Sequence, residues 1–306
     1  MAERGHRENR GLSPAAQAWR RYRSNPWALG AAWVLGLLVA GVILSAWVLP
    51  HAPNALSEAQ YGPPSMSHWL GTDASGRDVL ARVCAGARVS LAVGLAGALV
   101  SLGIGVAWGA LAGYAGGRLD GILMRAVDVL YSLPSIVFLI VLVSALREPA
   151  QRGLASVFGE GAQDAAGLLF LVIGLGGVSW LTMARMVRAQ VRVLKAQAFV
   201  EAARALGAGH FRILFRHLLP GTIGVIVAYG TLTLPAVVLG ESFLSFLGLG
   251  IQPPQASLGS LIADGAAQVN PVRVRLWLLA GPASVLVTML LSLSFIGDGL
   301  REALDP

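Results

Sequence analysis

Apolar residues in this 306-residue chain come in long blocks, and the polar residues gather between them. Six blocks, near 27–49, 88–113, 127–146, 166–184, 221–241 and 276–297, approach or exceed the roughly 20 helical residues that cross a bilayer. The first begins WALGAAWVLG after a basic, polar leader. It is too long for a signal-peptide core and lacks a convincing cleavage site, which predicts a retained helix. In the second block Gly97, Ser101, Gly105, Gly109, Gly113 and, just beyond it, Gly117 recur at every fourth position. Such a stripe of small residues lets another backbone approach closely, either inside the bundle or across a dimer contact.

The polar segments carry a charge bias. With the N-terminus inside, the inner segments 1–26, 114–126, 185–220 and 298–306 hold 16 of the 23 Lys and Arg. That bias places both ends in the cytoplasm, as an even number of spans requires. The predicted organisation is a cytoplasmic segment 1–26, a first helix 27–49, an outer loop 50–87 and a five-helix core 88–298. The core contains a cytoplasmic stretch 185–220, and a tail 299–306 follows it. The outer loop opens rich in Pro, Gly and Ser and closes on Ser75-Gly76-Arg77-Asp78, whose polar side chains suit local helix capping.

Composition supports this reading. The chain is 55% hydrophobic and 13% charged, against about 25% charged residues in a soluble domain. A net charge of +7 would suggest nucleic acid in a soluble protein; here loop arginines that set orientation account for it.

Several enzyme chemistries are excluded. The only lysine, Lys195, follows Leu194, so there is no Gly-Lys-Ser/Thr phosphate loop. The histidines His6, His51, His68, His210 and His217 all fall outside the spans, and no HExxH pattern occurs. One cysteine, Cys84, excludes an internal disulfide and a multi-cysteine metal site. No metal site and no catalytic constellation is expected. Acidic residues in or at the ends of spans are Asp128, Glu241 and Asp298; each needs a partner or water. Glu241 suits either a structural hydrogen bond or the solute path.

The segment from Phe199 to Gly221 reads FVEAARALGAGHFRILFRHLLPG. Gly207 and Gly209 break it into two short helices. Phe211, Leu214, Phe215 and Leu218 follow a helical period and form an apolar stripe, with Arg212 and Arg216 on another face. Leu219, before Pro220, is biased to an extended conformation, so the second helix should stop there. An amphipathic element of this kind rests on anionic lipid or on a partner.

At this point the wording resembles a known family. EAARALG at 201–207 followed by LLP at 218–220 is similar to the cytoplasmic EAA loop of ABC importer permeases, with His217 where the generic pattern has Ile and Gly221 where it often has Asn. LGTDASGRDVL at 70–80, GESFLSFLGLGIQPPQASLG at 240–259 and FIGDGLREALDP at 295–306 narrow the resemblance to the C-type permease subunit of dipeptide, oligopeptide and nickel importers. The likeness runs from about Pro26 to the end.

It implies an all-α membrane protein of type I ABC importer architecture, with six transmembrane helices and a cytoplasmic coupling loop. It also implies a non-catalytic role as half of a peptide translocation path. The implied partners are a second homologous permease, ABC ATPase subunits that use ATP and Mg²⁺, an extracytoplasmic solute-binding protein and the lipid bilayer, with no cofactor on this chain. Glu201, Ala202, Ala203 and Gly207 would form the docking core of the ATPase-coupling element, together with Phe211, Leu214, Phe215, Leu219 and Pro220. Glu241 and Asp128 are candidates for a pathway or structural role. VDVLYSLPSIVFLI at 127–140 resembles oligopeptide more than nickel permeases. Nickel or small-solute import is the alternative, ahead of a secondary transporter, which would need coupling sites of its own in broken helices.

Overall fold

A computed structural model describes residues 14–158, 163–269 and 274–304, and among them the chain is helical without a strand. The helices are α1 (Pro14–Ser24), α2 (Pro26–Val48), α3 (Val79–Ala115), α4 (Gly117–Tyr131), α5 (Ser135–Phe158), α6 (Gln163–Lys195) and α7 (Ala198–Ala205). After them come α8 (His210–Ile213), α9 (Leu219–Gly221), α10 (Ile223–Phe246), α11 (Leu258–Ala266) and α12 (Leu276–Leu304). Among the described residues five helices, α2, α3, α6, α10 and α12, are long and apolar enough to span a membrane; α4 and α5 as far as Ala145 reach a sixth only when taken together across a bend of 88°.

That bend corrects the expected straight span at 127–146. Leu133 precedes Pro134, whose ring disfavours the helical region for it; α4 stops at Tyr131 and α5 restarts at Ser135. The segment expected as a loop, 114–126, is mostly helical too. It folds because α4 is amphipathic, burying Asp120, Met124 and Val127. Other boundaries also move. Asp78 accepts the Ala81 N–H at 2.8 Å and starts α3 inside the expected outer loop. The sixth span continues through most of the expected tail, to Leu304.

The small-residue ridge packs within the bundle. Among the described residues the contact between α3 and α6 is the most extensive. A methyl group on Gly105 would lie 2.6 Å from Met183 Cβ, and one on Gly109 2.4 Å from the Ala184 carbonyl oxygen. The helices therefore meet nearly backbone to backbone, gaining dispersion contacts where lipid gives no hydrophobic drive. Gly117 lies outside that ridge, as the first residue of α4, where a methyl group would meet nothing within 4 Å.

The core divides along the bundle. One cluster joins α3, α10, α11 and α12 through Val83, Val238, Leu258, Leu286 and Met289. At the opposite end Met183, Val187 and Val191 of α6 pack on Val200, Ile213 and Leu218 of the stretch that holds the EAA sequence. At the first end α11 is a short helix wedged against α10 and α12, capped by Ser257 and Ser260 in a reciprocal box.

Candidate functional site

The stretch after α6 forms an elbow. Gln197 is extended and leads into α7, with Glu201 in the first turn, where a carboxylate complements the positive end of the helix. Gly207 then adopts φ +81°, a left-handed conformation that costs a side-chain-bearing residue about 1–2 kcal/mol. Its role is conformational, because a methyl group there would meet nothing within 4 Å. Ala208 N–H donates to Ala203 O at 3.0 Å, and Gly209 is extended before α8.

The second half departs from the expected stripe. Residues Leu214–Leu218 form a π-type turn in which Leu219 N–H donates to Leu214 O. Leu219 is thus helical (φ −59°, ψ −45°), and the chain runs on through Pro220 instead of stopping. Pro220 lacks the N–H that would bond back one turn, and it follows directly on the π-type turn, where the helical hydrogen-bond pattern already shifts. The extra residue in the turn rotates the face. Ile213 and Leu218 point into the bundle and are buried, while Phe211 is 81% and Phe215 61% exposed. Their rings stack at 6.3 Å with 9° between planes. Leu206 at the corner is 88% exposed; Leu214 and Leu219 are half-buried, and Glu201, Ala202, Gly207 and Pro220 are exposed. Each large apolar side chain left in water forgoes about 1.5–3 kcal/mol of burial.

The elbow is tied to the spans. Tyr114 Oη, at the end of α3, lies 2.7 Å from His210 Nδ1. Lys195 Nζ, at the end of α6, donates to Tyr114 O at 2.5 Å and lies over the Tyr114 ring at 5.3 Å.

Between α4, α5, α6 and α10 lies a groove of about 540 Å³. Its wall is mostly apolar, with Tyr131, Ser135, Ser179, Thr182, Tyr229 and Thr233 as the polar positions. Tyr131 Oη and Thr182 Oγ1 are 2.5 Å apart. Beside them Arg185 donates to Asp128 at 2.6 Å while stacking 4.0 Å above the Tyr131 ring. Asp128 is therefore paired at the border of the groove. Asp120, which sequence reasoning missed, is the more buried acid of α4 and receives Arg188 through two nitrogens, at 2.5 and 2.6 Å. The signal was present: Asp120 and Asp128 are two turns apart on α4, and Arg185, Arg188 and Arg192 follow the period of α6.

Glu241 is fully buried and does not border the groove. It accepts hydrogen bonds from Ser90 Oγ and Ser245 Oγ, each at 2.7 Å, and from Ser242 Oγ at 3.3 Å. Two of these serines in turn accept backbone N–H groups, Leu258 N–H on Ser90 Oγ and Ile251 N–H on Ser245 Oγ, both at 3.2 Å, so the expected structural hydrogen bonding is what surrounds Glu241. Asp298 is exposed on α12.

In the loop before α3, Asp73 gathers the N–H groups of Ser75 and Arg77 and the guanidinium groups of Arg77 and Arg82. Burial pushes its carboxyl up, but those donors outweigh it and hold the pKa below the ordinary carboxylate value.

Residues 105–306 match the family described as binding-protein-dependent transport system inner membrane component. Residues 13–64 match the N-terminal TM domain of oligopeptide transport permease C. The chain is 40% identical to the oligopeptide transport system permease protein of Haemophilus influenzae, over 97% of this chain and 89% of that protein. It is 42% identical to the protein of that name from Escherichia coli K12, over 98% and 93%. Identity to the dipeptide transport system permease protein of Bacillus subtilis is 40%, over 96% and 86%. Spans, elbow and buried acids thus sit in a chain that belongs to the inner membrane components of binding-protein-dependent transport systems, the permeases of ABC importers.

Proposed function

We propose that this chain is one half of a peptide importer, pairing with a second permease and passing on peptides delivered by an extracytoplasmic binding protein. The names of its relatives, oligopeptide and dipeptide permeases, supply the substrate class. The groove suits it: an apolar wall accepts varied side chains, and spaced hydroxyls at Ser135, Ser179, Thr182 and Thr233 can hydrogen-bond a peptide backbone. Paired with a like surface, it forms the path. Both termini and the elbow face the cytoplasm.

The observation that carries the coupling role is the exposed apolar surface of Leu206, Phe211 and Phe215 beside the EAA sequence. A hydrophobic face on a polar side of the membrane marks a partner, here an ATPase subunit that binds ATP and Mg²⁺ while this chain holds no cofactor. Glu201, Ala202, Ala203 and Gly207 form the centre of that contact. Docking there transmits force by short routes, because α6 ends at the elbow and α10 begins there, and both line the groove.

The test uses the assembled importer. A cysteine at Leu206, paired with cysteines around the permease cleft of the ATPase, should crosslink efficiently and resist aqueous maleimide in the complex. Proteoliposomes should take up a labelled tripeptide only with ATP and binding protein. Free labelling of that cysteine in an active complex overturns the docking role, and ATP-driven uptake of Ni²⁺ without peptide uptake overturns the substrate class.

A further inference from the structure

A second cluster lies well away from groove and elbow, on the loop between the first and second spans. His51 follows α2 by three residues, His68 lies within the loop, and Asp78 caps α3. The Nδ1 atoms of both imidazoles approach one oxygen, Asp78 Oδ2, at 2.7 Å for His68 and 3.9 Å for His51. The rings are tilted against one another with centroids 4.6 Å apart. All three side chains offer a ligand atom within 4.8 Å of the others. Asp78 is buried, while His51 and His68 are half-buried, so the cluster has a fixed floor and a face reachable from outside.

We propose that His51, His68 and Asp78 form a binding site for a borderline divalent transition-metal ion such as Zn²⁺ at the outer end of the bundle. Two imidazoles and one carboxylate are a common donor set for zinc, leaving a position for water. Tetrahedral bonds of 2.0–2.2 Å need donors about 3.3 Å apart, between the two separations measured from Asp78 Oδ2. Small side-chain rotations bring the atoms to that spacing. Asp78 is oriented in advance, because its Oδ1 is occupied by the Ala81 N–H at 2.8 Å, which turns Oδ2 towards the two imidazoles. A carboxylate only accepts, so His68 Nδ1 carries the proton in the metal-free state. An ion on Nδ1 takes that proton's place, and the ring's proton shifts to Nε2. The positive end of α3 opposes a cation, but the Asp78 charge lies between them. The neighbouring cations Arg77 and Arg82 are both turned to Asp73. An ion held here ties the end of the first span to the start of the second.

Nothing in this site depends on the transported solute. The test takes the full-length chain, purified through a tag without histidines, stripped with chelator and titrated with Zn²⁺ against a chromophoric chelator. One Zn²⁺ per chain is expected, with a rise in melting temperature. Co²⁺ should give the visible bands of a low-coordinate complex with nitrogen ligands. His51→Ala leaves the His68–Asp78 bond and the helix cap intact, yet should weaken binding by about tenfold or more, as loss of even an outer-shell partner does. His68→Asn, which keeps a donor for Asp78, should do the same, whereas His217→Ala should change nothing. Absence of stoichiometric binding by the native chain overturns the proposal, and so does equal affinity in the His51→Ala and His68→Asn variants.

Discussion

Ser90 on α3 donates its hydroxyl hydrogen to Glu241 on α10 at 2.7 Å, joining two spans across 151 residues of sequence. The same oxygen accepts the Leu258 N–H that opens α11. One buried carboxylate therefore organises three helices by fixing which way serine hydroxyls point. A carboxyl group at this depth is tolerated because several hydrogen-bond partners converge on it.

The first prediction follows from that arrangement. Glu241→Ala leaves the Ser90 and Ser245 hydroxyls without their acceptor, at about 1–3 kcal/mol for each unsatisfied group. Its melting temperature in detergent should fall sharply and its yield with it. Glu241→Gln keeps the shape and one acceptor, so it should fold with a smaller loss. Because Glu241 is sealed from the groove, uptake of neutral and cationic tripeptides should fall by the same factor in Glu241→Gln. Selective loss of the cationic peptide would show instead that the charge reaches solute.

A second prediction concerns the contact between α3 and α6. Gly109→Ala places a methyl group 2.4 Å from the Ala184 carbonyl oxygen, a backbone atom that cannot swing away. Overpacking of this kind costs about 1–3 kcal/mol. Gly103, on the same helix, has nothing within 4 Å of its added Cβ, and Gly103→Ala should be neutral or slightly stabilising. Equal melting temperatures for the two variants would refute the close-packed contact.

The difference between these glycines also separates what was legible in the sequence from what was not. The period of four marked Gly105 and Gly109 as a contact ridge, because helix geometry puts such positions on one stripe. Six apolar blocks were likewise visible, since the bilayer sets their length. The break at Leu133–Pro134 was hidden by the run of apolar residues around it, although the proline carried the signal. In the elbow, the glycine break was readable from Gly207. The outward turn of Phe211 and Phe215 was not, because a π-type turn at Leu214–Leu218 adds a residue to the period. Asp73 and the His51–His68–Asp78 cluster come together through loop folding, which no local spacing announces.

Gly207 gives a third prediction. Its surroundings are open and only its φ of +81° is demanding. Substitutions should therefore rank by how well each residue accepts the left-handed region. Gly207→Asn should stay near native, Gly207→Ala should lose moderately, and the β-branched Gly207→Val should lose most. The readout is peptide uptake per ATP hydrolysed in the reconstituted importer, at matched membrane levels. If Asn and Val variants couple equally well, the left-handed turn is not what the elbow needs.

The last prediction concerns acid. Asp73 has a folded-state pKa below its unfolded value of about 3.9, despite its burial. A carboxylate with a depressed pKa stabilises the fold fully above the unfolded pKa, and that contribution disappears as pH falls through the folded pKa. Asp73→Asn removes the charge that holds Arg77 and Arg82 and can replace only part of the hydrogen bonding. The variant should melt well below the native chain at pH 7, by the equivalent of about 1–3 kcal/mol for a buried charge-assisted cluster. As pH falls from 5 towards 3 the native chain loses this contribution while the variant has none to lose. The gap between their melting temperatures should therefore narrow over that range and stay constant between pH 6 and 8. A gap independent of pH down to 3 would mean that the Asp73 charge contributes nothing, leaving only the shape of the turn. Hydrogen exchange at Ser75 and Arg77, whose N–H groups donate to Asp73 Oδ1, gives a local reading of the same event. Their protection should fall with pH in the native chain before that of α3 does.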